Sequence, residues 1–351
     1  MFTAIGSADY KQHLNLSTYA FEVIQNDIRS FMEKPSLSGF INKVLEEYIE
    51  IAEASISRAY GKKMDDLSDM LRDIPNSDDK EKIINILSEK YRDDLISISN
   101  NYPREQYVKF RLNKHNFNLL FENDCPEEQY YDSQGKYIKA IVEEYSRKTP
   151  LEREAIFFCD RIAYIQSCID SGNLLRINSR NNWTYEVKPY RIQSDTSALY
   201  HYLIGIASSP ADRDKAPKIA SFRISFLREI SMRPKSYKSG RITNEEKELI
   251  EKQVQSKGVQ FLLGENQEIR VRLSNKGKKM YDTQLHLRPI TSRVDADGTY
   301  VFFCTPSQIE YYFFKFGSDA EILFPEELRI RFQNKYKDAL NKYTDKEGIK
   351  Q

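Results

Sequence analysis

The sequence predicts a multidomain α+β protein, and three observations carry that expectation. At roughly 150 residues per domain, a chain of 351 residues divides into two or three compact units. Twice within the first 150 residues a short stretch of alternating polar and apolar residues leads into segments of helical periodicity. From Leu174 to Ile230 the pattern turns to short β-type runs separated by turn residues, and a mixed helix and strand pattern closes the chain. Hydrophobic residues make up 40% and charged ones 30%, enough to bury several cores beneath a solvated surface. No window approaches the roughly 18 consecutive apolar residues of a membrane span. The start, Met1 to Tyr10, has no basic cluster followed by an apolar stretch, so a cytoplasmic location and no membrane partner are expected.

Gln12 to Leu16 alternates as a strand does. Ser17 or Thr18 then caps a helix whose apolar positions Phe21, Ile24, Ile28 and Phe31 recur at helical spacing. Lys34-Pro35 breaks it. Ser36 starts a second helix with Phe40, Ile41, Val44, Leu45 and Tyr48 on one side. Tyr107 to Leu112 alternates again, Lys114 to Glu122 reads as helix, and Gly135 to Tyr145 echoes Gly39 to Tyr48, each ending in Glu-Glu-Tyr. A lone strand cannot satisfy its backbone, so two copies must pair as an antiparallel ribbon. We expect pairing within the chain, with Leu14, Leu16, Val108, Phe110 and Leu112 inward; pairing with a second subunit is the alternative. Alternation then displays Lys11, His13 and Asn15 on one strand and Lys109 and Arg111 on the other. Between the copies, Ile56 to Ser99 reads as a helical hairpin turning at Pro75-Asn-Ser-Asp.

A short strand followed by two helices, the second opening Ser36-Leu-Ser-Gly-Phe-Ile41, resembles the ribbon-helix-helix family. The resemblance implies a ribbon whose outer face enters the major groove of duplex DNA. Retention of the unit for assembly or protein contact is an equally good reading, because residues 1–150 hold 20 Lys/Arg against 26 Asp/Glu, net −6.

The remaining charge is unevenly placed. Residues 151–260 hold 18 basic against 13 acidic side chains, net +5, and residues 261–351 hold 15 against 13, net +2. Arg176 to Arg241 carries 13 basic and 5 acidic residues among Tyr185, Tyr190, Tyr200, Tyr202, Phe222 and Phe226. Cations meet phosphates and rings offer stacking faces, so this mixture suits a polyanion with exposed bases. It suits a basic surface over an ordinary β core equally well. Leu151 to Cys168 reads as a connecting helix ended by Ser171-Gly172. Short strands follow at Leu174 to Asn178, Trp183 to Ile192, Leu199 to Ala207 and Ala220 to Ile230.

Enzymatic motifs are missing. The cysteines Cys125, Cys159, Cys168 and Cys304 form no C-x-x-C pair, and the four histidines have no metal-ligand spacing. The glycines make neither a P-loop nor a G-x-G-x-x-G, and no serine lies in G-x-S-x-G. We expect no metal, no cofactor and no catalytic activity.

Tyr185-Glu-Val-Lys-Pro-Tyr-Arg-Ile192, Tyr200-His-Tyr-Leu-Ile-Gly205 and Phe222-Arg-Ile-Ser-Phe-Leu-Arg228 are similar in order and spacing to the WYL domain. The name-giving Trp is replaced by His201, and Phe226 stands where the family often has a second arginine. The resemblance implies an Sm-like or SH3-like β-barrel that binds nucleic acid or a ligand derived from it through Tyr202 and Arg223, with Arg176, Lys188, Tyr190 and Arg228 beside them. Val259 to Leu273, Leu285 to Pro289, Thr299 to Thr305, Gln308 to Phe316 and Gly317 to Leu328 resemble the extension that follows WYL domains, with a final helix Pro325 to Tyr343 packing through Leu328, Phe332, Tyr336 and Leu340. The expected division is residues 1–55 and 104–150 for the two ribbon units, 56–103 for the helical spacer, 151–170 for a linker helix, 171–245 for the WYL domain, and 246–351 for the extension and dimerisation region.

Together the two resemblances cover most of the chain. Their combination is similar to accessory proteins encoded beside type VI-D CRISPR systems. It implies a non-catalytic, homodimeric helper that binds single-stranded RNA and stimulates the RNA-guided ribonuclease. The alternative is a duplex-DNA-binding transcription regulator with a ligand-sensing WYL domain.

Overall fold

The structure is a computed structural model and describes residues 11–52, 55–75, 78–121, 134–195, 199–209, 216–232, 240–262 and 264–344. Cys125, the Asn76-Ser77 tip of the expected turn and the stretch Met1 to Tyr10 lie outside the described residues. The chain is mixed α+β with three antiparallel sheets among the described residues, and it divides into two compact units, Met1–Asp160 and Arg161–Gln351.

In the first unit, β1 (Lys11–Leu16) pairs with β2 (Gln106–Arg111) in the same chain, with Lys11 opposite Arg111, His13 opposite Lys109 and Asn15 opposite Tyr107. A two-stranded ribbon is marginal alone. Its inner residues Leu14, Leu16, Val108 and Phe110 are buried, along with Leu112 just beyond β2. Helices α1 (Thr18–Phe31) and α2 (Leu37–Tyr48) follow β1; α5 (Lys114–Phe121) and α6 (Gln134–Arg147) follow β2. Ser17, not Thr18, caps α1, accepting from the Ala20 backbone N–H, and Ser36 caps α2 through Gly39. Helix α6 packs on β1, α1 and α2.

Buried polar bonds fix the two halves to one another. Glu143 on α6 accepts from the Ser17 backbone N–H at 2.6 Å and from its hydroxyl at 2.7 Å. Arg153 and the Tyr145 hydroxyl both reach Asp27, at 2.7 and 3.0 Å. Burial raises the Asp27 pKa above the usual aspartate value, against the pull of Arg153. Between the halves, α3 (Ile56–Met70) and α4 (Asp78–Asn100) form an antiparallel hairpin.

The single helix expected over Leu151 to Cys168 is two, α7 (Pro150–Phe157) and α8 (Cys159–Ser171). Thr149 starts α7 with a complete capping box to Glu152, and Phe158 leaves helical geometry at its end. Gly172, at φ +64°, stops α8 in a conformation that side chains rarely adopt.

In the second unit, β3 (Leu175–Ser179), β4 (Thr184–Asp195), β5 (Tyr200–Ser208), β6 (Lys218–Arg223) and β7 (Leu227–Met232) form a sheet of order β6-β5-β4-β3-β7. The run Ala220 to Ile230, read as one strand, is broken by a 3₁₀ turn at Ile224–Phe226. That turn is also why the expected barrel does not close. It carries the chain from one sheet edge to the other with Ile224 and Ser225 buried, so β6 and β7 separate without a shared ladder. Both faces of β5 are covered, which erases polar alternation from its sequence. Leu203 and Phe222 fall on one face. Tyr202 and Ile204 lie on the other, under α9 (Asn244–Lys257) and the 3₁₀ turn Val259–Phe261. Gly205 is required at the β4 bulge, because a Cβ there would stand 2.3 Å from the Lys188 carbonyl oxygen.

The chain continues through β8 (Gln267–Leu273), α10 (Asn275–Thr283), β9 (Thr291–Val294), β10 (Tyr300–Cys304), α11 (Pro306–Phe313), β11 (Ala320–Phe324) and α12 (Glu326–Thr344). The β-α-β-β-α-β order builds a sheet β11-β8-β10-β9. Its core gathers Phe302, Tyr312, Phe313, Phe316, Leu328 and Phe332. Tyr336 packs against this core, whereas Leu340, expected to pack too, is exposed beyond the sheet.

Candidate nucleic-acid interface

Two basic, ring-bearing surfaces emerge, one in each unit. On the ribbon, strand parity puts Lys11, His13, Asn15, Lys109 and Arg111 on one exposed face, opposite the buried Leu14, Val108 and Phe110. The same parity adds Tyr107, 58% exposed. Its ring stacks on His13 at 5.5 Å, its hydroxyl meets His13 Nδ1 at 2.6 Å, and the Lys109 ammonium lies 5.6 Å from its centroid. The sequence reading passed over Tyr107, although its spacing of two from Lys109 already placed it on that face.

The second surface lies at the 3₁₀ turn between β6 and β7. Arg223, the last residue of β6, has its guanidinium carbon 3.0 Å from the Tyr200 ring centroid and 4.7 Å from that of Phe226. Its Nε donates to Ser225 Oγ at 2.6 Å, which orients the guanidinium plane. Arg180, from the β3–β4 hairpin, lies 5.2 Å from the Phe226 ring, and its backbone N–H donates to the Phe226 carbonyl. Phe226 is 40% exposed between these two cations. In the same hairpin Arg228 donates to Asn182 Oδ1 at 2.5 Å, next to the exposed indole of Trp183. Cation–π stacking of this kind holds guanidinium groups in place while leaving N–H edges for an anion.

The six residues expected to act together in this sheet do not form one patch. Arg223 and Arg228 belong to the turn. Arg176 is exposed on β3, opposite Glu186. Lys188 is bound by Glu246 at 2.8 Å. Tyr190 donates to Glu251 at 2.7 Å, and Arg191 joins the same carboxylate. These two acids of α9 hold the helix on the sheet. Burial pushes the Glu246 pKa upward, but Lys188 and the Thr243 N–H outweigh it and leave the carboxyl below its ordinary value; Tyr190 and Arg191 do the same for Glu251. Burial, reinforced by Glu251, raises the Tyr190 pKa.

Tyr202 requires the larger correction. It sits directly opposite Arg223 in the β5–β6 register and on the same face, yet is only 8% exposed and packs with Ile204, Ile250, Val259 and Leu262. Its ring offers no open side to a base. Arg180, Tyr200 and Phe226 take its place at the surface. Tyr200 and Phe226 were visible as rings in the basic stretch; Arg180 had only a turn as its signal.

Among the described residues one trio, Glu47, Cys159 and Asp160, brings ligand atoms close enough for a metal ion. Lys43 fills that role instead, paired with Glu47 and with Asp160 at 2.7 Å. Burial and Glu47 push the Cys159 thiol up to about 11, so it stays protonated and donates to Glu47 at 2.7 Å.

Comparison with known proteins places the fold. No family model matches the chain, and no curated protein matches it either. Among solved structures, one described as the crystal structure of a CRISPR Cas-related protein superposes with a TM-score of 0.71 at 23% identity, over 95% of this chain and 94% of that one. The two share a fold. Proteasome accessory factor B/C (PafBC) of Arthrobacter aurescens aligns over 70% of this chain and 40% of its own, at 14% identity and a TM-score of 0.31, a value on which no argument rests.

Proposed function

We propose that this chain is a non-catalytic accessory protein that binds single-stranded RNA at the Arg180, Arg223, Phe226 and Tyr200 cluster and stimulates an RNA-guided type VI-D CRISPR ribonuclease. The observation that carries the reading is the exposed Phe226 ring held between two arginines. A ring with an accessible edge and face can stack on a base, and flanking guanidinium groups can take the phosphates on either side. Such contacts tolerate any sequence, because every base has a π-face. The basic balance of residues 151–260 points the same way. Captured RNA would be held at raised local concentration near the nuclease, so that stimulation needs no chemistry from this chain. The reading includes a homodimer, which doubles the number of clusters per particle.

The second reading is a duplex-DNA regulator. The ribbon favours it, since its register gathers Lys11, His13, Asn15, Lys109 and Arg111 on one outer face. Titration against matched single-stranded RNA, single-stranded DNA and duplex DNA at several salt concentrations separates the two. The RNA reading expects tight RNA binding with a log–log salt slope of about −0.7 per neutralised phosphate. Tight duplex binding that is lost on changing Lys109 or Arg111, and indifferent to Arg223, would replace it with the regulator.

A further inference from the structure

The α3–α4 hairpin of the first unit carries features that neither nucleic-acid surface uses. Around its tip, Asp65 to Glu81 holds seven carboxylates against Arg72 and Lys80. Large apolar side chains stand in solvent there: Met70 is 79% exposed and Ile86 66%, with Ile74 and Ile83 also exposed. Helical spacing explains how they gather. Leu67, buried, and Ile84, half-buried, mark the seam between the two helices. Met70 lies about 60° to one side of the Leu67 direction at 100° per residue, and Ile83 and Ile86 lie off the Ile84 direction on the matching flank of the antiparallel partner. The result is an apolar strip on one flank, bordered by Asp66 and Asp79.

Exposed apolar side chains gathered in this way mark an interaction surface, and the charge around them selects its occupant. A polyanion is repelled, whereas a protein that itself grips nucleic acid presents the opposite sign. We propose that this hairpin flank docks a basic protein surface carrying apolar side chains. The inference goes beyond the RNA-binding reading, since it concerns a different unit and a different class of partner.

A labelled 18-residue helical peptide, with Leu at i, i+3, i+4 and i+7 and Lys elsewhere, serves as the probe in fluorescence anisotropy with the full chain. Saturable binding is expected, weakened at least tenfold in Met70→Ser/Ile83→Ser/Ile86→Ser and in Asp66→Lys/Asp69→Lys/Asp79→Lys, with RNA affinity unchanged in the serine variant. Circular dichroism establishes that each variant is folded, and the two remove different halves of the surface. Equal peptide binding by the serine variant would overturn the proposal, as would equal binding of a peptide with Glu in place of Lys. A fall in oligomeric state of the serine variant on sedimentation would assign the flank to a second copy and overturn it too. Loss of RNA binding by the unmodified chain would remove the accessory reading and leave this one standing.

Discussion

The ribbon of the first unit and the 3₁₀ turn of the second use the same residue types to different ends. On the ribbon, strand parity spreads Lys11, His13, Asn15, Tyr107, Lys109 and Arg111 along a paired, regular face. At the turn, Arg180, Arg223, Phe226 and Tyr200 are heaped on one another, ring against guanidinium. A repeating row fits a regular duplex groove, whereas a compact stack fits an unpaired base. Net charge sharpens the contrast, at −6 for residues 1–150 and +5 for 151–260. Composition alone does not separate the two; backbone geometry does.

The largest effect that would sharpen this contrast lies in the first unit. Arg153→Ala leaves Asp27 buried without its guanidinium partner and is expected to cost about 3–5 kcal/mol of stability, read by urea unfolding. RNA affinity should remain within about twofold if RNA is held by the second unit alone. Next, Phe226→Ala removes the exposed ring and should weaken RNA binding by about 1–3 kcal/mol, measured by anisotropy. An unchanged affinity would make Phe226 mere packing for the two arginines.

Smaller still, Arg180→Ala and Arg228→Ala should each flatten the log–log salt slope by about 0.7 if each meets one phosphate. A slope left unchanged places those side chains away from the backbone of the RNA. The smallest effect is on stability against pH. Glu246 and Glu251 titrate below their ordinary value in the folded chain, so their anchoring of α9 is complete above the unfolded glutamate pKa and is lost as the pH falls through the lower folded one. The thermal stability gap between the unmodified chain and Glu251→Gln should therefore be open at pH 7 and close on acidification below about 4.5. A gap that stays constant would mean that Glu251 acts through shape and not through its charge.

Much of this architecture was legible wherever one force dominated. Leu14, Leu16, Val108 and Phe110 alternate because one ribbon face is buried, and the serines at 17 and 36 announce the helices they cap. The cluster at the turn was harder to read. Arg223 stood out by resemblance, but its partners Tyr200 and Arg180 come from other strands, and only the β5–β6 register and the β3–β4 hairpin bring them to it. Tyr202 misled for a related reason. A tyrosine on a strand covered on both faces looks the same in sequence as one exposed to solvent, and α9, some forty residues later, decides which it is. The open sheet, likewise, depends on three residues, Ile224 to Phe226, whose turn splits what periodicity reads as a single strand.

The account rests on the second unit, not the ribbon, holding unpaired RNA, and a paired titration tests this most directly. Arg223→Ala and Lys109→Ala, each shown to be folded by circular dichroism, are compared with the unmodified chain against one single-stranded RNA at fixed salt. We expect Arg223→Ala to weaken binding about tenfold or more, the worth of a charge-assisted contact of at least about 1.4 kcal/mol, and Lys109→Ala to change it by less than about twofold. A silent Arg223→Ala beside a damaging Lys109→Ala would contradict the account and move the nucleic-acid interface to the ribbon.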